Sequence, residues 1–106
     1  MPILYEDVKK LQPCKINCQV VQKNGSPCPF ASITVFKVWR FLWWDILLYE
    51  TSTTANFYGK ATVTLQKGVR YRFRVRWTGA EGKTREWWEP LIPTICPYTM
   101  TLTAPW

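Results

Sequence analysis

The stretch from Gly68 to Trp77, GVRYRFRVRW, repeats with a period of two. Arg70, Arg72, Arg74 and Arg76 alternate with Tyr71, Phe73, Val75 and Trp77. Only an extended strand puts alternate side chains on opposite faces. A chain carrying this segment must bring an apolar layer against one face and leave the other cationic, so the fold must supply a half-buried sheet.

The same period recurs along the chain. In Cys14 to Gln22, Ile16, Cys18 and Val20 share a face, and the turn cluster KNGSPCP follows. FASITVFKVWRF has Ala31, Ile33 and Val35 on one side, and the loss of alternation at its far end suggests a bulge or burial on both faces. WWDILLYETSTT reads as a third strand, ANFYG as a turn, and KATVTLQ as a fourth strand with Ala61, Val63 and Leu65 inward. Beyond the arginine strand come the TGAEGK loop, TREWWEP and YTMTLTA. About seven short strands in roughly 100 residues predict an all-β, two-sheet antiparallel sandwich of immunoglobulin-like type. Residues 1–13 read as a short N-terminal arm, with Leu4, Val8 and Leu11 at helical spacing, and residues 14–106 as a single sandwich domain.

Composition removes several classes. Apolar residues make up 47% of the 106, and a disordered chain lacks that much surface to bury. The longest apolar run, Phe41 to Tyr49, is broken by Asp45 and is far shorter than the roughly 20 residues of a membrane-spanning helix. Glu6 and Asp7 near the start do not fit a signal peptide. Lys and Arg exceed Asp and Glu by 14 to 7, a net charge of +7 that favours an anionic partner or a soluble basic surface.

The order of features resembles the transthyretin-like sandwich family that includes the carboxypeptidase regulatory-like and collagen-adhesin B-type repeats. VVQKNGSPCPFASITVF followed by TSTTANFYGKATVTLQKGVRYRFRV carries the resemblance, over roughly Lys15 to Trp77. Gly25, Ala31, Val35, Thr53, Gly59, Ala61, Leu65, Gly68, Tyr71 and Val75 occupy the family's turn and alternation places. The aromatic insertion VWRFLWWDILL, the cysteines and the arginines lie outside that pattern. The resemblance implies a structural, adhesive or spacer module. Some adhesin members form an isopeptide bond from a core Lys, Asn and acid; Lys15, Lys60, Asn17, Asn56 and Glu50 supply those residue types, and the sequence assigns no trio among them.

The chemistry available argues against catalysis. The sequence has no histidine, hence neither the commonest general base nor the commonest metal ligand. Ser26, Ser32 and Ser52 sit in no nucleophile motif, and no glycine-rich phosphate loop is present. A non-enzymatic protein without a cofactor is expected. Cys14, Cys18, Cys28 and Cys96 are not spaced as paired C-x2-C knuckles, so at least one disulfide is favoured over free thiols or a metal. The favoured pair is Cys28 with Cys96, both preceding prolines at strand edges, leaving Cys14 and Cys18 to pair locally or stay reduced.

Trp39 and Trp77 read as core. In the doublets Trp43-Trp44 and Trp87-Trp88, neighbours on a strand point to opposite faces, so one of each pair should be exposed or lie in an interface. Subunit contacts lead as the explanation, ahead of sugar platforms and a bilayer belt. For Arg70, Arg72, Arg74 and Arg76 three roles compete: a solvated face paired with Glu50, Glu86 or Glu89; a contact between subunits; and polyanion or nucleic-acid binding. Pairing of Lys60 to Gln66 with the arginine strand would add Lys60 to the same face. The expectation is a structural and assembly module, a building block of a particle or filament such as a virion, or of a cell surface. Self-association or a structural partner is expected, through the tryptophan doublets, the arginines and residues 1–13 or the C-terminal TAPW. Carbohydrate or polyanion binding is the alternative.

Overall fold

A computed structural model of the chain describes residues 12–106. Seven strands follow one another: β1 (Pro13–Val21), β2 (Ser32–Phe41), β3 (Trp44–Thr54), β4 (Lys60–Gln66), β5 (Tyr71–Thr78), β6 (Thr84–Leu91) and β7 (Tyr98–Thr103). They form a two-sheet β-sandwich, with strand order β4-β1-β7 in the small sheet and β3-β2-β5-β6 in the large one. Every pairing is antiparallel except β1 with β7, which run parallel. No described helix is long and apolar enough to cross a membrane. The expected arm is shorter than its predicted bounds, since Pro13 already pairs with Gln66 in β1; residues 1–11 lie outside the described residues.

The alternation sets the layers. Cys14, Ile16, Cys18 and Val20 of β1 are almost wholly buried and meet Tyr71, Phe73 and Val75 of β5 in one core cluster. Each buried aliphatic or aromatic side chain of this kind contributes about 1.5–3 kcal/mol. The turn after β3 is closed by the Asn56 side chain, which accepts from the backbone N–H groups of Tyr58 and Lys60. At its end Gly59 has φ +76°, and a Cβ there would come within 2.5 Å of the Val20 carbonyl oxygen, so glycine is required.

The sheet order decides two points that the sequence left open. The turn at Gly59 carries the chain from the large sheet to the small one, so β4 pairs with β1 and not with β5. Lys60 therefore lies in the other layer, away from the arginines. Lys15, Lys60, Glu50 and Asn56 are exposed, so they form no core isopeptide trio.

The disulfide joins Cys14 to Cys96, not Cys28 to Cys96. The parallel register explains this. β1 and β7 pair Ile16 with Tyr98, and two residues earlier on each chain the same register sets Cys14 beside Cys96, with Cα atoms 5.2 Å apart. Cys28 sits towards the other end of β1, where its N–H donates to the Val20 carbonyl. Closing an 82-residue separation contributes on the order of 4 kcal/mol in the chain-entropy account. Cys18 and Cys28 are free and buried, and burial pushes their thiols up to about 12 and about 11. A thiol reagent at pH 8 should label no cysteine in the native protein and two after unfolding without reductant. Four labels on unfolding would exclude the Cys14–Cys96 bridge.

Candidate functional site

The two sheets are unequal in length, and the difference creates the most distinctive surface. Pro13 and Gln66 pair at one end of the small sheet, and the Tyr71 hydroxyl accepts from the Gln66 N–H at that level. Tyr71 in turn is the last partner of β5 for β2, opposite Lys37. Val38 still donates its N–H to the Arg70 carbonyl, and from Trp39 to Phe41 β2 is paired only with β3, as a two-stranded hairpin that overhangs the small sheet.

Alternation along this overhang separates two faces. On the outer one, Arg40 and Asp45 are cross-strand partners joined at 3.2 Å, and Asp45 also meets Arg72 at 3.5 Å. The inner one, which continues the core-facing side of the large sheet, carries Trp39, Phe41, Trp44, Ile46 and Leu48. Trp39 stacks near Phe41 at 5.9 Å between ring centroids, and Phe41 near Trp44 at 6.4 Å. The core face thus runs on past the layer that should cover it. Trp39 is 52% exposed, which corrects its expected place in the core: it follows the core alternation but lies past the end of the opposing sheet.

The hairpin tip adds Leu42 and Trp43, at 62% and 76% exposure. Leu42 has φ 59° in a two-residue turn where glycine is the usual occupant of such a conformation. Holding a leucine there costs about 1–2 kcal/mol. Both members of the Trp43-Trp44 doublet are exposed, whereas Trp87 is buried and Trp88 exposed, so only the second doublet divides between the faces.

The arginines lie on the outer face of the large sheet, with Tyr71, Phe73 and Val75 buried behind them. Arg76 binds Glu86, its cross-strand partner on β6, at 2.6 Å and holds that carboxyl below its usual range. Arg72 meets Asp45, and the Arg74 guanidinium lies over Phe36 at 5.3 Å and Trp88 at 5.9 Å, with its Nε buried and unpartnered among the described residues. Arg70 lines an open hollow with Arg40 and Val38 and has no carboxylate partner among the described residues. Of the expected acidic partners only Glu86 serves. Glu50 is the extra residue of the bulge opposite Val35 and Phe36, and Glu89 alternates to the inner side. Sequence reasoning missed Asp45 as a partner because the reach from β3 to β5 spans β2 and depends on sheet order.

At the other end of the sandwich a cleft of about 700 Å³ opens between the β1–β2 and β5–β6 loops. Phe30, Trp77 and Trp106 line it together with Gln22, Glu81 and Arg85. Trp77 is partly buried against the core, as expected, and the Arg85 guanidinium lies 5.2 Å over the Trp106 ring. Among the described residues no cluster of three or more metal-binding side chains occurs.

The architecture places the chain in the class of two-sheet β-sandwiches. No protein-family model matches the sequence, and no curated protein does. Among solved structures it is similar to a 9R-lipoxygenase from Cyanothece PCC8801, with a TM-score of 0.55 and 11% identity. The match covers 99% of this chain and 20% of that one, so the chain spans about a fifth of the lipoxygenase and shares its fold over that part alone.

Burial raises the Glu89 pKa, partly offset by hydrogen bonds from the Trp87 indole and the Thr103 backbone. A carboxyl raised in the folded state favours the protonated form. Its contribution is greatest below the unfolded value of about 4.3 and is lost as pH rises through the folded pKa. Glu89→Gln should therefore stabilise the protein at pH 7 and lose that advantage towards pH 4, by thermal unfolding. An advantage that grew on acidification would contradict the assignment.

Proposed function

We propose that this protein is a non-enzymatic assembly module that self-associates through its aromatic hairpin. The observation carrying this reading is the overhang, a core-type face of Trp39, Phe41, Trp44 and Leu48 with no layer over it among the described residues. Exposed aromatics of this density mark contact surfaces, since leaving them in water forgoes the hydrophobic gain that folds the rest of the chain. The fold accords with the transthyretin-like modules the sequence resembles, which act as adhesive or structural units; a virion or cell-surface structure suits that role. In this reading the arginines keep the outer face soluble, three of the four being engaged within the chain by Glu86, Asp45 and the Phe36–Trp88 pair. Apolar contact now takes the part that the sequence also allowed the arginines.

Light scattering at low and high salt tests this directly. Each copy carries +7, so association through an apolar face should persist or strengthen as salt screens repulsion. Trp39→Ser with Trp44→Ser should leave a folded monomer. Dissociation by salt would return the contact to the arginines, and a wild-type monomer at high concentration would remove self-association altogether.

A second reading, saccharide binding, draws on the cleft at the opposite end, whose volume and mixture of aromatic with polar side chains fit a small ligand site. It predicts retention on immobilised polysaccharide that Trp77→Ala abolishes without shifting the oligomeric mass. Unretarded elution of the wild type would exclude it for the polysaccharides tried.

A further inference from the structure

Building on self-association, we propose that the aromatic face of the hairpin packs on the same face of a second copy, about a two-fold axis. Each hairpin then supplies a layer that the other lacks among the described residues. The partner hairpin occupies the level of the small sheet, end-on to Pro13 and Gln66, where that sheet stops.

The position of the small sheet fixes the direction. It fills the layer beneath the base of the hairpin, so a second hairpin enters that layer tip first and its own small sheet lies beyond the first hairpin's tip. The two hairpins therefore run antiparallel, base over tip. The axis passes near the cross-strand pair Trp39 and Ile46, midway between Lys37–Leu48 at the base and Phe41–Trp44 at the tip. Lys37, exposed at the base, comes opposite the tip of the other copy, where Trp43 offers an indole to a cation.

The size of the face suits a two-fold contact. Trp39, Phe41, Trp43 and Trp44, exposed by 46% to 76%, present on the order of 600 Å² together with Leu42 and Leu48, taking 150–250 Å² for a whole aromatic side chain. Two such faces bury about 1,200 Å², the lower bound of stable specific interfaces. The outer face of the same hairpin, with its Arg40–Asp45–Arg72 ion pairs, is unsuited to burial, since desolvating paired charges costs about as much as their attraction returns. A two-fold contact also closes on itself and yields a dimer, where a hairpin seated in the distant cleft would propagate into a chain.

Ile46→Cys provides the test. The buried thiols of Cys18 and Cys28 leave residue 46 as the reactive position. A short bismaleimide should link two Ile46→Cys chains across the axis, and the exposed site Ser26→Cys should give no linked product. As a second variant, Trp39→Arg sets like charges face to face at the axis. It should raise the dimer dissociation constant by about 100-fold or more while the far-ultraviolet dichroism stays unchanged. Association with growth beyond a dimer, or linkage at Ser26→Cys and not at Ile46→Cys, would overturn the two-fold arrangement and leave self-association standing. A monomeric wild type would overturn both. Dimerisation that begins only when residues 1–11 are deleted would overturn the proposal by assigning the face to the chain's own N-terminal segment.

Discussion

The burial of one face of β1 against the large sheet is the interaction on which the remainder of the molecule depends. β1 is the central strand of the small sheet, and its inward residues Cys14, Ile16, Cys18 and Val20 have almost no exposure. Hydrogen bonds to β4 on one side and β7 on the other fix its position, and the Cys14–Cys96 bridge ties its first turn of pleat to the segment leading into β7. Where β1 begins, the small sheet ends. The overhang of the aromatic hairpin is a consequence of that limit.

A sandwich whose layers were equally long would have buried Trp39, Phe41 and Trp44 with the same alternation that buries Ile33 and Val35. Among the described residues the hairpin runs past its cover, and a two-stranded ribbon without a second layer is marginally stable in water. Its outer face carries the Arg40–Asp45 ion pair, and its inner face, rich in aromatics, behaves as half of a sandwich. The turn at its tip keeps a leucine in a left-handed conformation, so local backbone preference has given way to an exposed apolar side chain. The proposed contact with a matching face would resolve both features by the same physics that forms the core.

The arginine strand illustrates how a strong sequence signal can have a modest structural meaning. Its cationic face is real, but β6 answers Arg76 with Glu86, β3 reaches across with Asp45, and Arg74 spreads over two aromatic rings. Exposed pairs of this kind contribute little to stability, and they order the face without naming a ligand.

The period of two determined that the chain is an all-β sandwich, which side of β5 faces the core, and that Trp87 and Trp88 divide between the faces. These are properties of a strand's own geometry, and neighbouring residues suffice to read them. Strand order, sheet length and parallel register belong to the tertiary structure. They moved Lys60 to the other sheet, brought Asp45 to Arg72, paired Cys14 with Cys96 in place of Cys28, and left Trp39 beyond the end of the small sheet. Each of these depends on which strand lies beside which and where it stops. Alternation says which way a side chain points, but whether anything lies opposite it is decided only when the two layers meet.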